Sequence, residues 1–228
     1  MVDFHHSRAD ILPDAIAGSL RASFNAATRD TDPYTYWTAR QVLPRSVVEA
    51  VCTLPFAAPD LGGVSGKREK HNATRTYFDV ENRATFDVVE AAAQAFQSPQ
   101  IVSQIGTVFG TSLAGSYLRM EYAQDVDGFW LEPHSDLGVK VFTLLLYLSD
   151  DPTHVYLGTD IYDGEKKWKA SMPFVSNHAM IFVPSDITFH GFEPRKITGV
   201  RKSLIVNYVT DEWRRREQLA FPDAPVGL

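Results

Sequence analysis

After Gly115 the chain changes pattern. Short runs rich in Val, Ile, Tyr and Phe alternate with turn signals at 125–128, 150–152 and 163–164. Strands can be read over 116–123, 129–134, 139–148, 155–161, 168–174, 178–183, 187–190 and 200–209. A run of short, evenly spaced strands following a helical half predicts a double-stranded β-helix, a jelly-roll of the cupin-like kind. The first half supplies helical support. Helices are expected over 8–23, 44–51 and 82–96, with another opened by Ser98-Pro99, and short strands over 34–39 and 74–80. Residues 59–73 hold Pro59, Gly62, Gly63 and Gly66 before a charged run at 67–71, a loop and a lid candidate. The expected class is therefore mainly β with flanking helices (α+β). It forms one domain, 1–228, because nothing linker-like lies near 110–115. Residues 1–114 are the helix-rich support and lid elements, 115–210 the barrel, and 211–228 a closing helix and tail.

Within the strand half stand His134 and Asp136, and far downstream His190. Residues i and i+2 of a strand point the same way, so His134 and Asp136 can grip one metal while Ser135 points elsewhere. His190 must come from a distant strand, which a barrel brings near. Two imidazoles and one carboxylate on one face of an iron leave the opposite face open, the non-haem Fe(II) arrangement. The alternatives are a metal-free strand-edge pair for His134 and Asp136 and a backbone-bonded core histidine for His190. The later polar pattern favours ligands.

A parity test sharpens this. On strand 200–209, Arg201, Ser203, Ile205 and Asn207 share one face, while Lys202, Leu204, Val206 and Tyr208 share the other. On strand 139–148, Val141, Thr143, Leu145 and Tyr147 alternate with Phe142, Leu144 and Leu146. Arg201 and Ser203 thus stand where a barrel lining would be. A buried arginine needs a partner, and a dicarboxylate would supply one through a bidentate, charge-assisted contact. Arg195 and Lys196 are rival anchors, but they follow Pro194 in a hairpin and are expected at the surface.

Taken in order, an aromatic-containing strand, H-x-D, a strand ending in Tyr, a Gly-containing turn, a second His and R-x-S resemble the 2-oxoglutarate- and Fe(II)-dependent dioxygenase superfamily, its prolyl-hydroxylase-like branch in particular. The resemblance covers 115–210. It implies Fe(II) on His134, Asp136 and His190, with O2 as oxidant and 2-oxoglutarate as cosubstrate. The far carboxylate of 2-oxoglutarate would lie on Arg201 and Tyr147, with Ser203 as the serine of R-x-S and Tyr122 as a second pocket tyrosine. The products would be succinate and carbon dioxide. Where many relatives carry Gly-Gly-Glu-Leu, this chain has Gly158-Thr159-Asp160. Halogenases of this type lack the carboxylate ligand; with Asp136 present, hydroxylation, or a desaturation or cyclisation variant, is expected. Arg75 and Trp130 are substrate-contact candidates.

Composition narrows the rest. A net charge of −6 and pI near 5.6 leave no whole-chain nucleic-acid footprint. Cys52 is the single cysteine, so no internal disulfide forms, and its apolar setting reads as an inert buried thiol. No signal peptide or membrane-length apolar run is read, so a cytoplasmic protein is expected. His5 and His6 read as a terminal tail, and His71, His154 and His178 as surface or capping residues. The favoured function is hydroxylation of a small or amino-acid-like molecule. A prolyl-type protein hydroxylase, a cupin-type metalloenzyme without 2-oxoglutarate and a degenerate jelly-roll binding module stay open.

Overall fold

A computed structural model describes residues 11–59, 75–136 and 138–227. The expected loop at 59–73 lies almost wholly outside the described residues, as do His5, His6 and His71. Five α-helices are described: α1 (Pro13–Asn25), α2 (Arg45–Cys52), α3 (Val80–Thr85), α4 (Asp87–Gln97) and α5 (Pro99–Phe109). Strands β1 (Thr28–Asp30), β2 (Tyr36–Arg40) and β3 (Thr76–Tyr77) lie in the first half. The expected barrel strands follow as β4 (Tyr117–Asp125), β5 (Leu131–His134), β6 (Lys140–Tyr147), β7 (Asp160–Tyr162), β8 (Trp168–Ser171), β9 (His178–Phe182), β10 (His190–Phe192) and β11 (Arg201–Val209).

Two antiparallel sheets result, in the orders β1-β2-β9-β6-β11-β4-β3 and β5-β10-β7-β8. From β4 onward the chain winds between them, which is the jelly-roll. The outer face of the larger sheet packs on the helices. Leu118, Met120 and Tyr122 of β4, Leu144 and Leu146 of β6 and Leu204, Val206 and Tyr208 of β11 meet Leu20, Phe24, Val89 and Phe96 there. The inner face meets the smaller sheet in a second apolar cluster, with Leu145, Met180 and Phe182 against Ile161, Phe174 and Phe192.

Local chemistry sets the helix ends. Ser98 caps α5 by accepting from the Ile101 amide, Pro99 fills its first turn, and Gly110 ends it at φ 73°. The expected helix over 82–96 is broken at Phe86, whose extended backbone (φ −123°, ψ 115°) lays its ring 5.4 Å from Phe56. The strand expected over 74–80 shrinks to Thr76–Tyr77, because Asp79 caps α3 by accepting from the Asn82 amide.

Three further expectations are corrected. The closing helix over 211–219 is a single 3-10 turn at Arg216–Gln218. β3 is too short to cover the edge of β4, so the tail takes that edge in extended form: Leu219 bridges Arg119, and the Ala220 amide donates to the Leu118 carbonyl at 2.9 Å. The strand expected over 155–161 begins only at Asp160, after a 3-10 turn at Pro152–His154. His154, expected at the surface, is buried, with Nε2 2.7 Å from the Thr198 carbonyl and Nδ1 3.1 Å from Ser149 Oγ.

Candidate metal centre and adjoining pocket

His134 closes β5 and His190 opens β10, and the two residues are directly paired across the ladder. Their rings lie 4.3 Å apart. This closeness depends on Gly191: a Cβ there would sit 2.7 Å from the Leu131 carbonyl oxygen and push β10 off β5. Each imidazole Nδ1 faces a backbone carbonyl two residues upstream, Glu132 at 3.0 Å for His134 and Thr188 at 3.1 Å for His190. A carbonyl only accepts, so each Nδ1 carries a proton, and in the neutral ring it is Nε2 that offers a lone pair. Those Nε2 atoms lie 3.8 Å from the two Asp136 carboxylate oxygens, and the three donors lie within 4.8 Å of one another. The donors converge as one open face of a coordination sphere requires.

Asp136 is itself held. Oδ2 accepts from Thr143 Oγ1 at 3.1 Å, and Oδ1 lies 2.7 Å from Lys140 Nζ. Thr143 in turn accepts from Asn207 Nδ2 at 3.0 Å, and Asn207 Oδ1 accepts from Arg119 Nη1 at 3.1 Å. Arg119 is fully buried and pairs with Glu121. Arg75 bridges Glu121 (3.3 Å) and Asp125 (2.6 Å), and Asp125 also pairs with Arg201. A continuous polar chain thus runs across the inner face, from the metal-facing carboxylate to the expected anchor.

Beside the three donors opens a pocket walled by Arg75, Lys140, Tyr147, Arg201 and Ser203 and by the apolar Phe129, Leu131, Leu145 and Ile205. Register explains the inward set on β11: Arg201, Ser203 and Asn207 pair with Asp125, Ala123 and Arg119 of β4. Ser203 Oγ is buried with no hydrogen-bond partner among the described residues. Among the described residues, three guanidiniums (Arg75, Arg119, Arg201) share two carboxylates (Glu121, Asp125), an excess of one positive charge. A buried hydroxyl with no partner among the described residues, and a buried excess of positive charge among them, are what an anionic ligand would satisfy. Burial opposes the charge on Arg75, but Asp125 and Glu121 more than offset it, so its pKa is raised. Burial likewise pushes up the Tyr147 phenol, keeping it a neutral donor, and its hydroxyl lies 2.9 Å from Thr159 Oγ1.

The structure brings together His134, Asp136, His190, Arg201, Tyr147, Ser203 and Arg75. It does not bring in Tyr122, which lies on the opposite face of β4 and packs on Phe56 at 6.1 Å. Tyr122 shares parity with Leu118 and Met120, so the same alternation that turns Glu121 inward turns it outward. Trp130 is half-buried and does not line the pocket; its neighbours Phe129 and Leu131 do. The partner expected for Arg201 is present within the protein: Asp125, aided by the Leu157 carbonyl at 2.6 Å from Nε. Arg195 pairs with buried Asp160 and is not simply a surface residue. Glu121, Asp125 and Lys140 were not anticipated. The first two are legible as charges alternating with Met120, Tyr122 and Gln124, although that pattern ordinarily marks a solvent face.

No protein-family model matches the chain, and no curated protein matches it. Solved structures do. A prolyl-4-hydroxylase from Pseudomonas putida aligns at 13% identity with TM-score 0.55, covering 86% of this chain and 93% of its own. A prolyl hydroxylase from Trichoplax adhaerens, in complex with a hypoxia inducible factor peptide fragment, aligns at 12% and 0.56, covering 88% and 91%. SnoN, a non-haem α-ketoglutarate-dependent epimerase from nogalamycin biosynthesis, aligns at 17% and 0.51, covering 86% and 84%. The chain has the jelly-roll fold of the 2-oxoglutarate/Fe(II) oxygenases, in the form seen in prolyl hydroxylases. Among the described residues no helix is long and apolar enough to cross a membrane.

Proposed function

We propose that this chain is a non-haem Fe(II)- and 2-oxoglutarate-dependent dioxygenase that hydroxylates a small or amino-acid-like molecule. The observation that carries the reading is the convergence of two imidazoles and the Asp136 carboxylate beside a pocket holding Arg201 and a buried Ser203 Oγ that has no partner among the described residues. His134, Asp136 and His190 would hold Fe(II). Arg201, Ser203 and Tyr147 would receive the far carboxylate of 2-oxoglutarate. When bound, iron, 2-oxoglutarate and O2 supply the oxidising power, with succinate and carbon dioxide released. The protein's own part is orientation and dryness. The backbone carbonyls of Glu132 and Thr188 fix the imidazole tautomers, Thr143 and Lys140 hold the carboxylate, and Phe129, Leu131, Leu145 and Ile205 exclude water. Arg75, at the pocket wall over the Phe129 ring, is the substrate-contact candidate. The structural likenesses include both a peptide complex and an epimerase of antibiotic biosynthesis.

One observation favours a second reading, a jelly-roll metalloenzyme that does not use 2-oxoglutarate. Asp125 already pairs with Arg201, so the arginine does not need a dicarboxylate. Anaerobic titration of the iron-loaded protein with 2-oxoglutarate decides between them. A visible charge-transfer band in the wild type, requiring at least about tenfold more ligand in Arg201→Ala, is the expected result. Iron binding without a band would favour the second reading. Asp136→Ala should abolish both the band and turnover; wild-type turnover in that variant would sink the ligand assignment.

A further inference from the structure

Lys140 brings a positive charge into the metal centre by a break in strand register. Strict alternation along β6 would pair it with Phe142 and Leu144 on the helix side. The ladder to β11 instead slips: Tyr208 pairs with Phe142, but Val209 pairs with Lys140. The extra residue, Val141, is left packing against the helix-side core, and Lys140 turns to the barrel face. There its side chain is 4% exposed, with Nζ 2.7 Å from Asp136 Oδ1. A bulge that carries an ammonium onto a metal-facing carboxylate has an electrostatic consequence. Among the described residues, one carboxylate and two imidazoles in the neutral form that binds a metal sum to −1, and Lys140 at 2.7 Å from that carboxylate brings the sum to zero. Thr143 and Asn207, which hold the other carboxylate oxygen, are neutral donors and leave that balance unchanged.

Resting on the function proposed above, we propose that Lys140 is a resident counter-cation that couples binding of the divalent metal to binding of the dicarboxylate. A divalent ion entering alone meets a carboxylate already compensated and an ammonium that repels it. A dianion entering the same pocket offsets both cations, so the metal and the cosubstrate each strengthen the other's hold, as linkage requires. Lys140 acts through Asp136 and is a positioning residue. The pocket therefore retains its metal poorly without the dicarboxylate and firmly with it.

The test uses Mn(II) as the probe. Free Mn(II) is read by electron paramagnetic resonance over the full-length protein, with and without saturating 2-oxoglutarate. In the wild type 2-oxoglutarate should tighten Mn(II) binding on the order of tenfold or more. Lys140→Met should bind Mn(II) alone about tenfold more tightly than the wild type and gain much less from 2-oxoglutarate. Lys140→Arg, which keeps the charge, should behave as the wild type, and Lys140→Gln replaces the methionine variant if that one fails to fold. Neutral variants with unchanged or weaker Mn(II) affinity and intact coupling would overturn the inference and leave Lys140 a structural ion pair. Mn(II) binding that is indifferent to 2-oxoglutarate in the wild type would overturn the function reading itself, and the coupling with it.

Discussion

The two faces of the strands β4, β6 and β11 are equally buried and chemically opposite. Toward the helices stand Leu118, Met120, Leu144, Leu146, Leu204 and Val206, each with no exposed surface. Toward the barrel interior stand Arg119, Glu121, Asp125, Thr143, Arg201, Ser203 and Asn207, all buried. The same alternation builds both faces, one residue out of phase. The helix face holds the molecule together through apolar area removed from water. The barrel face buries charge, which is costly even when paired, and a fold seeking only stability would have no reason to do so. The contrast teaches that burial does not reveal purpose: on the function proposed above, the polar face is explained by what it would bind.

The largest expected effect comes from breaking the polar face. Arg119→Met would leave Glu121 with Arg75 alone and take a buried donor from Asn207 and from Gln218, and should cost roughly 4 kcal/mol in urea melts. Leu204→Ala on the other face should cost roughly 3 kcal/mol by loss of burial and a cavity, while leaving Mn(II) and 2-oxoglutarate affinity unchanged. A ligand-affinity change in the leucine variant, or a cost below about 1 kcal/mol in the arginine variant, would break the division of labour.

A smaller effect appears with pH. Tyr147 on the barrel face and Tyr208 on the helix face are both buried, and burial raises their phenol pKa values above the ordinary 10.0. Unfolding frees each proton at its ordinary value, so the folded state binds more protons above pH 10. The stability they contribute is therefore complete below pH 10 and falls as pH rises beyond it, by about 1 kcal/mol per group per pH unit. Urea melts at pH 8 and pH 11, repeated on Tyr147→Phe and Tyr208→Phe, should show each variant losing part of that decline. A variant with the full wild-type pH dependence would show that its tyrosine does not titrate as burial requires.

The smallest effect is expected at Tyr122. Its hydroxyl is buried with no hydrogen-bond partner among the described residues, so Tyr122→Phe should shift stability by less than about 0.5 kcal/mol and leave the 2-oxoglutarate titration untouched. A weakened titration would place Tyr122 on the ligand side after all and undo the assignment of faces.

Much of this was legible in residue order. Six of the eight barrel strands near their expected bounds, the His134, Asp136 and His190 set and the inward parity of Arg201 and Ser203 follow from period-two alternation and turn chemistry, which are local properties of the chain; the strands expected over 155–161 and 187–190 begin only at Asp160 and His190. Tyr122 follows its own parity with Met120 toward the helices, against the pocket position that the family likeness implies. The breaks at Phe86 and in the 211–219 tail were hidden because both answer to distant partners, Phe56 for one and the uncovered edge of β4 for the other.

The sequence by itself determined which residues could meet: two histidines, a carboxylate and an arginine in an order that alternation turns inward. Only the tertiary structure decided what surrounds them. Asp125 reaches Arg201 through a cross-strand register, and Lys140 reaches Asp136 through a bulge. Register and bulges are set by how whole sheets pack, and a one-residue slip reverses every side chain beyond it, so no local pattern can announce them.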